Sequence, residues 1–308
     1  MNIEILLTEA EIANEFNEAL EARDLPEKFF YWFPLSVKRW RALAGEPDYS
    51  ELSNAWTAVS GRARELTADF GPDVPVISLG AGDGYKDRLL LRALTAAGKS
   101  PRYFPVDASQ TLLEAACAGA EEDDIETVGI KADISSRMHV LLAADAAEAP
   151  RLFLMAGNTL GGFDPLEQVT NLVDAMRPGD RLVVDGELES PAAVTLIESN
   201  PSRDFTFAPL ASLGLNPDDG RIRFEQKYDS RRSGLTLITR YFQADRDLRI
   251  SLSGDESALA RGERIFMNFH YLYNPAAFTW LLETHGGLRI EEQLFSSDGR
   301  FVTAICGK

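Results

Sequence analysis

Gly80, Gly82 and Gly84, the lysine Lys86 and the acids Asp107 and Asp133 are the residues whose types and spacing point to chemistry. The run Val76-Ile77-Ser78-Leu79 leads into Gly80-Ala81-Gly82-Asp83-Gly84, and apolar residues then recur at helical spacing from Asp87 to Leu94. Such glycines let the backbone turn sharply and let a ligand approach without a Cβ in the way. Amides at the helix start favour a carboxylate, a phosphate or a polarised hydroxyl. The spacing Gly-x-Gly-x-Gly is shorter than the dinucleotide fingerprint, so a plain glycine turn competes with a ligand loop at this point. Two later acids tip the balance. Arg102-Tyr103-Phe104-Pro105-Val106-Asp107 ends on a carboxylate about twenty residues on, where one is expected to hold ribose hydroxyls. Glu126-Thr127-Val128-Gly129-Ile130-Lys131-Ala132-Asp133 ends on another. Together they suggest an adenosine-type ligand across a sheet edge, with Asp107 on the ribose and Asp133 on the adenine amino group.

These groups have to be positioned by alternating strands and helices. Strands are expected at 74–79, 102–106, 127–132, 151–155 and 181–185, and helices at 86–97, 109–118, 136–147 and 165–176. That rhythm means a parallel, doubly wound sheet with ligands beyond the strands' carboxyl ends. The loop Gly157-Asn158-Thr159-Leu160-Gly161-Gly162 falls at the same edge. Before the sheet, residues 1–70 read as helices, at 8–20, 35–43 and 49–70. They contain the cluster Lys28-Phe29-Phe30-Tyr31-Trp32-Phe33, which reads as core or as a water-excluding lid. The rhythm breaks after Glu189. Residues 190–262 read as an α+β insertion capping the ligand edge, with antiparallel strands at 221–229, 235–244 and 248–253. The α/β part, 71–189, resumes over 263–308 with a helix at 275–285 and strands at 289–295 and 301–306.

Composition narrows the partners. The 308 residues are 45% hydrophobic, enough for a full core, and the formal charge of −17 disfavours nucleic acid and anionic membrane surfaces. Cys117 and Cys306 sit in apolar contexts without Cys/His metal spacing, so no metal is expected and buried thiols in a reducing compartment are the reading. The chain start lacks a basic segment followed by a long apolar core, and no apolar run is of membrane-spanning length; a cytoplasmic protein is expected. Monomer and homodimer are both compatible with the sequence.

The order of these parts resembles the S-adenosylmethionine-dependent methyltransferases, and more narrowly the histidine-specific methyltransferase family, over roughly residues 28 to 308. The resemblance is carried by Leu79-Gly80-Ala81-Gly82 with Lys86, Pro105-Val106-Asp107-Ala108-Ser109, Ala132-Asp133, the 157–163 loop, Arg177-Pro178-Gly179-Asp180 and Glu263-Arg264-Ile265. It implies a Rossmann-like class I methyltransferase sheet and S-adenosylmethionine as cofactor. It assigns Gly80, Gly82, Lys86, Asp107, Asp133, Gly157, Asn158 and Tyr31 to the cofactor. It also implies a substrate half at Tyr49, Gly162, Asn268 and His270, and there the sequence departs from the family. Gly162 stands where the family has an asparagine, and Asn268 and His270 stand where it has a glutamate and a serine. Loss of specific polar groups from a pocket changes what it accepts, so a substrate other than free histidine is expected.

The expected reaction is N-methylation of a small amino acid or amino-acid-derived amine. Such an amine must be neutral to react, and His270 is the candidate to accept its proton or to hydrogen-bond the substrate. A structural role for His270 competes with this, and His139 and His285 read as structural. The alternatives are an O- or peptide methyltransferase, a non-catalytic S-adenosylmethionine-binding accessory protein and, from the glycine loop, a nicotinamide oxidoreductase.

Overall fold

The computed structural model describes residues 1–47, 50–228, 234–252 and 254–308. Tyr49, expected at the substrate, lies outside the described residues.

The chain opens with a short strand, β1 (Asn2–Ile5), and a helix, α1 (Glu9–Ala22), whose start is closed by a capping box between Thr8 and Glu11. A 3-10 turn at Glu27–Phe30 leads into α2 (Pro34–Ala44), α3 (Ser50–Ser60) and α4 (Ala63–Leu66). Then come β2 (Asp73–Leu79), α5 (Tyr85–Ala96), β3 (Ser100–Asp107), α6 (Gln110–Glu121), β4 (Glu126–Lys131), α7 (Arg137–Ala144), β5 (Leu152–Met155), α8 (Pro165–Ala175) and β6 (Arg181–Glu187). Helices α9 (Pro191–Ile197) and α10 (Asn200–Ser212) precede four antiparallel strands, β7 (Gly220–Tyr228), β8 (Leu235–Ala244), β9 (Leu248–Leu252) and β10 (Asp255–Leu259). The chain closes with β11 (Arg264–Tyr273), α11 (Pro275–Trp280), β12 (Arg289–Phe295) and β13 (Phe301–Gly307).

Eight strands form one sheet in the order β1-β4-β3-β2-β5-β6-β13-β12. All neighbours from β1 to β6 run parallel, while β13 is antiparallel to both β6 and β12. The order reverses between β2 and β5, which puts the switch point at the glycine loop. Strand β2 is apolar on both faces because it lies at the centre. Ile77 and Leu79 pack with α7 and α8, and Val74 and Val76 pack with Trp56 of α3 and with Leu90, Leu91 and Leu94 of α5. Ser109, Ser136 and Asp164 cap α6, α7 and α8 with side-chain oxygens, whereas Gly84 before α5 brings no side-chain cap.

The buried Arg151 joins the sheet to its helices. Its guanidinium donates to Asp180 Oδ2 at 2.6 Å and to the carbonyls of Ala144 and Ala175. Cys117 and Cys306 are free and buried, and burial pushes their thiols up to about 11 and about 12.

The inserted segment forms a second, three-stranded sheet in the order β11-β8-β7, with the β9–β10 hairpin beside it. Sequence periodicity differs from this at two places. The segment 264–273, expected within the α/β part, is a strand of the small sheet, because alternation marks a strand but not the sheet it joins. Residues 191–212, which carry no clear pattern, form two helices with caps at Ser190 and Ser199. A third core binds the insertion to the N-terminal helices. Phe16, Phe29 and Phe30 pack with Phe205, Leu210, Phe242 and Met267. Among the described residues no helix is long and apolar enough to cross a membrane.

Candidate active site

A cavity of about 190 Å³ opens at the carboxyl ends of β2 to β6 and is covered by the N-terminal segment and the insertion. Its floor is the glycine loop. The amides of Gly80 and Ala81 both donate to the Val106 carbonyl, which folds the loop over β3. Gly80 has φ +71°, and a Cβ there would lie 2.7 Å from Thr159 Cγ2; Gly82 has φ +58°, and a Cβ would meet the Trp40 ring at 3.3 Å. Both positions thus combine left-handed backbone with a close approach, the two conditions that require glycine.

Asp107, at the end of β3, accepts the Gly82 amide at 2.9 Å on Oδ2 and the Ser109 amide at 2.8 Å on Oδ1. Burial pushes its carboxyl up to about 6 despite these bonds. Asp133 is more fully engaged. Its Oδ1 accepts the Ser135 amide and hydroxyl at 2.9 and 2.6 Å, and its Oδ2 accepts Lys28 Nζ at 2.6 Å. Lys28 also pairs with Glu15, and the Asp133 amide donates to His139 Nδ1 at 3.1 Å. His139 thus holds the backbone of Asp133 from within the fold. His285 is exposed and hydrogen-bonds Thr170 and the Leu166 carbonyl, away from the cavity.

The loop after β5 is held by an acid that the sequence reading passed over. Asp185 of β6 accepts the amides of Gly157 at 2.8 Å and Asn158 at 2.6 Å, and Trp56 Nε1 at 2.6 Å. Gly157 and Asn158 both adopt positive φ there, 87° and 59°. A Cβ on Gly157 would lie 3.2 Å from Lys86 Nζ. Lys86, in the first turn of α5, thus brings its ammonium to the loop and lines the cavity.

Asn158 then turns its side chain toward the insertion. Its Oδ1 accepts the backbone amide of Glu187 at 3.1 Å, which fixes its Nδ2 as the group 2.8 Å from His270 Nε2. Glu187 Oε2 lies 3.1 Å from the same His270 nitrogen, and Glu187 Oε1 accepts Arg300 at 3.2 Å. Glu187 is buried, and Asp185-Gly186-Glu187 ends a strand as Asp107 and Asp133 do. Attention to strand-end acids, extended to the fifth α/β strand, finds both residues.

Two further polar groups, Glu27 and Arg240, complete the far wall. Asn268 and Arg240 face each other in the β8–β11 register, and Arg240 donates to Asn268 Oδ1 at 3.0 Å. Asn268 Nδ2 donates to Glu27 Oε2 at 3.1 Å, and the Tyr31 hydroxyl donates to Glu27 Oε1 at 3.0 Å. Burial pushes Glu27 above the usual carboxylate range, with Arg240 acting against that shift, and it pushes the Tyr31 hydroxyl well up. Gly162, in a 3-10 turn, leaves the space Glu27 uses: a Cβ there would lie 3.3 Å from Glu27 Cγ and Cδ. The cavity thus brings together Tyr31, Gly80, Gly82, Lys86, Asp107, Asp133, Gly157, Asn158, Gly162, Asn268 and His270. Among the described residues no group of three or more His, Cys, Asp or Glu is placed to hold a metal ion.

A glycine loop at the switch point, acids at the next two strand ends and a cover over them define a class I methyltransferase architecture. Residues 9–195, more than half of the chain, match the family described as histidine-specific methyltransferase, SAM-dependent, and the chain belongs to that family. It is 28% identical over 171 residues to the histidine N-alpha-methyltransferase of Mycolicibacterium smegmatis, covering 54% of this chain and 51% of that protein. It is 25% identical over 147 residues to the 4-dimethylallyltryptophan N-methyltransferase easF of Epichloe festucae var. lolii, covering 46% and 42%. With the N-methyltransferase fsqC of Aspergillus fumigatus the identity is 21% over 255 residues, covering 80% and 69%. The matched region thus spans about half the length of the bacterial relative.

Proposed function

We propose that the protein is an S-adenosylmethionine-dependent N-methyltransferase of a small amino acid or amino-acid-derived amine other than free histidine. One observation carries this reading: the cavity divides into two chemically distinct halves. The strand-end half, with Gly80, Gly82, Lys86, Asp107 and Asp133, suits an adenosine with a charged amino-acid tail. The cap half, with Glu27, Arg240, Asn268 and His270, suits a second, polar molecule.

The donor half passes a test of fit. Left-handed glycines leave room for a ligand against the loop, Asp107 offers a carboxylate to vicinal hydroxyls, and Lys86 offers an ammonium to a carboxylate. Asp133 Oδ2 keeps a lone pair beyond its bond to Lys28, enough to accept an adenine amino group. Tyr31 and Asn158 stand at the boundary of the two halves. When bound, S-adenosylmethionine supplies a methyl group activated on a sulfonium. The chain's task is then to align the amine with it and to exclude water. The rings of Trp40, Tyr31 and Phe205 supply the apolar cover for that exclusion.

The test is calorimetric titration with S-adenosylmethionine and S-adenosylhomocysteine, followed by amines and amino acids on the saturated protein. Micromolar binding of both nucleosides and methylation of one amine is expected. A folded protein that binds neither nucleoside would overturn the reading.

A further inference from the structure

We infer that Glu27 holds the substrate's amine and accepts its proton, while His270 Nδ1 meets a second polar group of the same substrate. The inference rests on the methyltransferase reading and assigns the roles within it.

The argument starts from Asn158. Its amide cannot be turned over, because Oδ1 accepts the Glu187 backbone N–H. Nδ2, a donor, therefore faces His270 Nε2 at 2.8 Å, with Glu187 Oε2 as its second acceptor at 3.4 Å. The same Glu187 oxygen lies 3.1 Å from Nε2, and Glu187 Oε1 accepts Arg300, so Nε2 is taken up by the protein and closed to a substrate. Nδ1, for which the described residues offer no hydrogen-bond partner, is the ring nitrogen left for a ligand in the cavity.

Glu27 has the complementary properties. Both its oxygens are fixed by one donor each, Tyr31 and Asn268, and each keeps a further lone pair. The carboxylate lies against Gly162, where the missing side chain leaves space beside the loop that carries Asn158. Among the described residues, Tyr31, Arg240 and His270 are titratable or charged groups that act on Glu27. An incoming ammonium meets the carboxylate; one N–H bond breaks, its electron pair stays on nitrogen as the lone pair, and the proton bonds to a Glu27 oxygen. Burial moves the carboxyl toward the amine's range, which makes that transfer less uphill. The substrate class is a primary or secondary amine that also carries a carboxylate or other polar group to meet His270 Nδ1.

The experiment uses the 308-residue chain saturated with S-adenosylhomocysteine. The probes are tryptophan, tyrosine, phenylalanine and histidine, their decarboxylated amines and their N-acetyl forms. The best ligand is expected to be a free amine with its carboxylate. Its N-acetyl form should bind about tenfold or more weakly, as should the free ligand with Glu27→Gln. In turnover, Glu27→Gln should act mainly on kcat and His270→Gln more on KM than on kcat. Nucleoside binding by each variant reports an intact fold. The inference is overturned if Glu27→Gln binds the amine as the wild type does, if His270→Gln takes the larger loss in kcat, or if no probe binds the saturated protein. Each of those outcomes leaves the methyl-donor reading standing, whereas failure of the wild type to bind the nucleoside removes that reading first.

Discussion

Lys28 Nζ sits 2.6 Å from Asp133 Oδ2, so a residue of the 3-10 turn between α1 and α2 is tied to the carboxyl end of β4, the third strand of the α/β run. Both side chains are largely buried, at 12% and 10% exposure. Burial alone would raise the Asp133 carboxyl, but Lys28 and Ser135 hold it below the usual range.

Lys28→Met is therefore expected to destabilise the protein by about 2–4 kcal/mol at neutral pH, since it strands a buried carboxylate. The sign with pH follows from the lowered carboxyl. Its stabilisation is present above the unfolded carboxylate pKa and lost as pH falls through the folded one. The gap between wild type and variant should thus narrow on acidification below about pH 4. Urea unfolding at several pH values measures this; a gap that is constant with pH would mean the pair contributes nothing electrostatic.

Asp107 gives a pH dependence of the opposite sign. Its carboxyl, at about 6, is protonated more readily in the folded protein than in the unfolded chain. Unliganded stability from this group is fully present below the unfolded pKa and lost as pH rises through about 6. Ribose hydroxyls prefer the charged acceptor, so S-adenosylhomocysteine affinity should move the other way. It is expected to fall by up to about tenfold per unit below pH 6, and Asp107→Ala should weaken binding severely at every pH. Calorimetry between pH 5 and 8 decides this, and a flat profile would remove Asp107 from the ligand.

Gly80→Ala should weaken nucleoside binding by about tenfold or more and cost about 1–3 kcal/mol of stability. The new methyl group meets Thr159 Cγ2 at 2.7 Å, and the backbone there is left-handed. The double variant with Thr159→Ser relieves the contact but not the strain, so only part of the loss should return.

Arg151→Met tests the frame rather than the site. It leaves Asp180 buried and unpaired, and a loss of about 3–5 kcal/mol is expected by urea denaturation. Ligand affinity in the folded fraction should change little, because Arg151 lies at the amino end of β5.

The sheet and the donor half were legible because central parallel strands read as unbroken apolar runs, each ending on a glycine or an acid. Gly80, Asp107 and Asp133 each announce themselves within one short segment. The cap half is assembled differently. Arg240 meets Asn268 only through the β8–β11 register, and Glu27, which hydrogen-bonds Asn268, lies against Gly162 more than a hundred residues away. No local pattern encodes such meetings. His270 was legible as a residue of interest, but the partners that hold its Nε2, Asn158 and Glu187, come from distant segments, and Asn158 in turn is set by the Glu187 amide. Strand β1 pairs with β4 through only four residues and gives too short a pattern to read.

Over the cavity, α2 and α10 meet through Arg39 and Asp204 at 3.1 Å, and Tyr31 packs on Phe205 with ring centroids 5.5 Å apart. The ion pair is about half exposed on both sides, so it is worth little and is screened by salt. The two halves of the roof thus come from distant parts of the chain, and what joins them is the buried core that packs Phe30 and Leu43 with Phe205 and Leu210, beneath an exposed ion pair. Salt screens the ion pair but leaves the apolar seam in place, so the roof should stay closed, and ligand affinity nearly constant, across ionic strength.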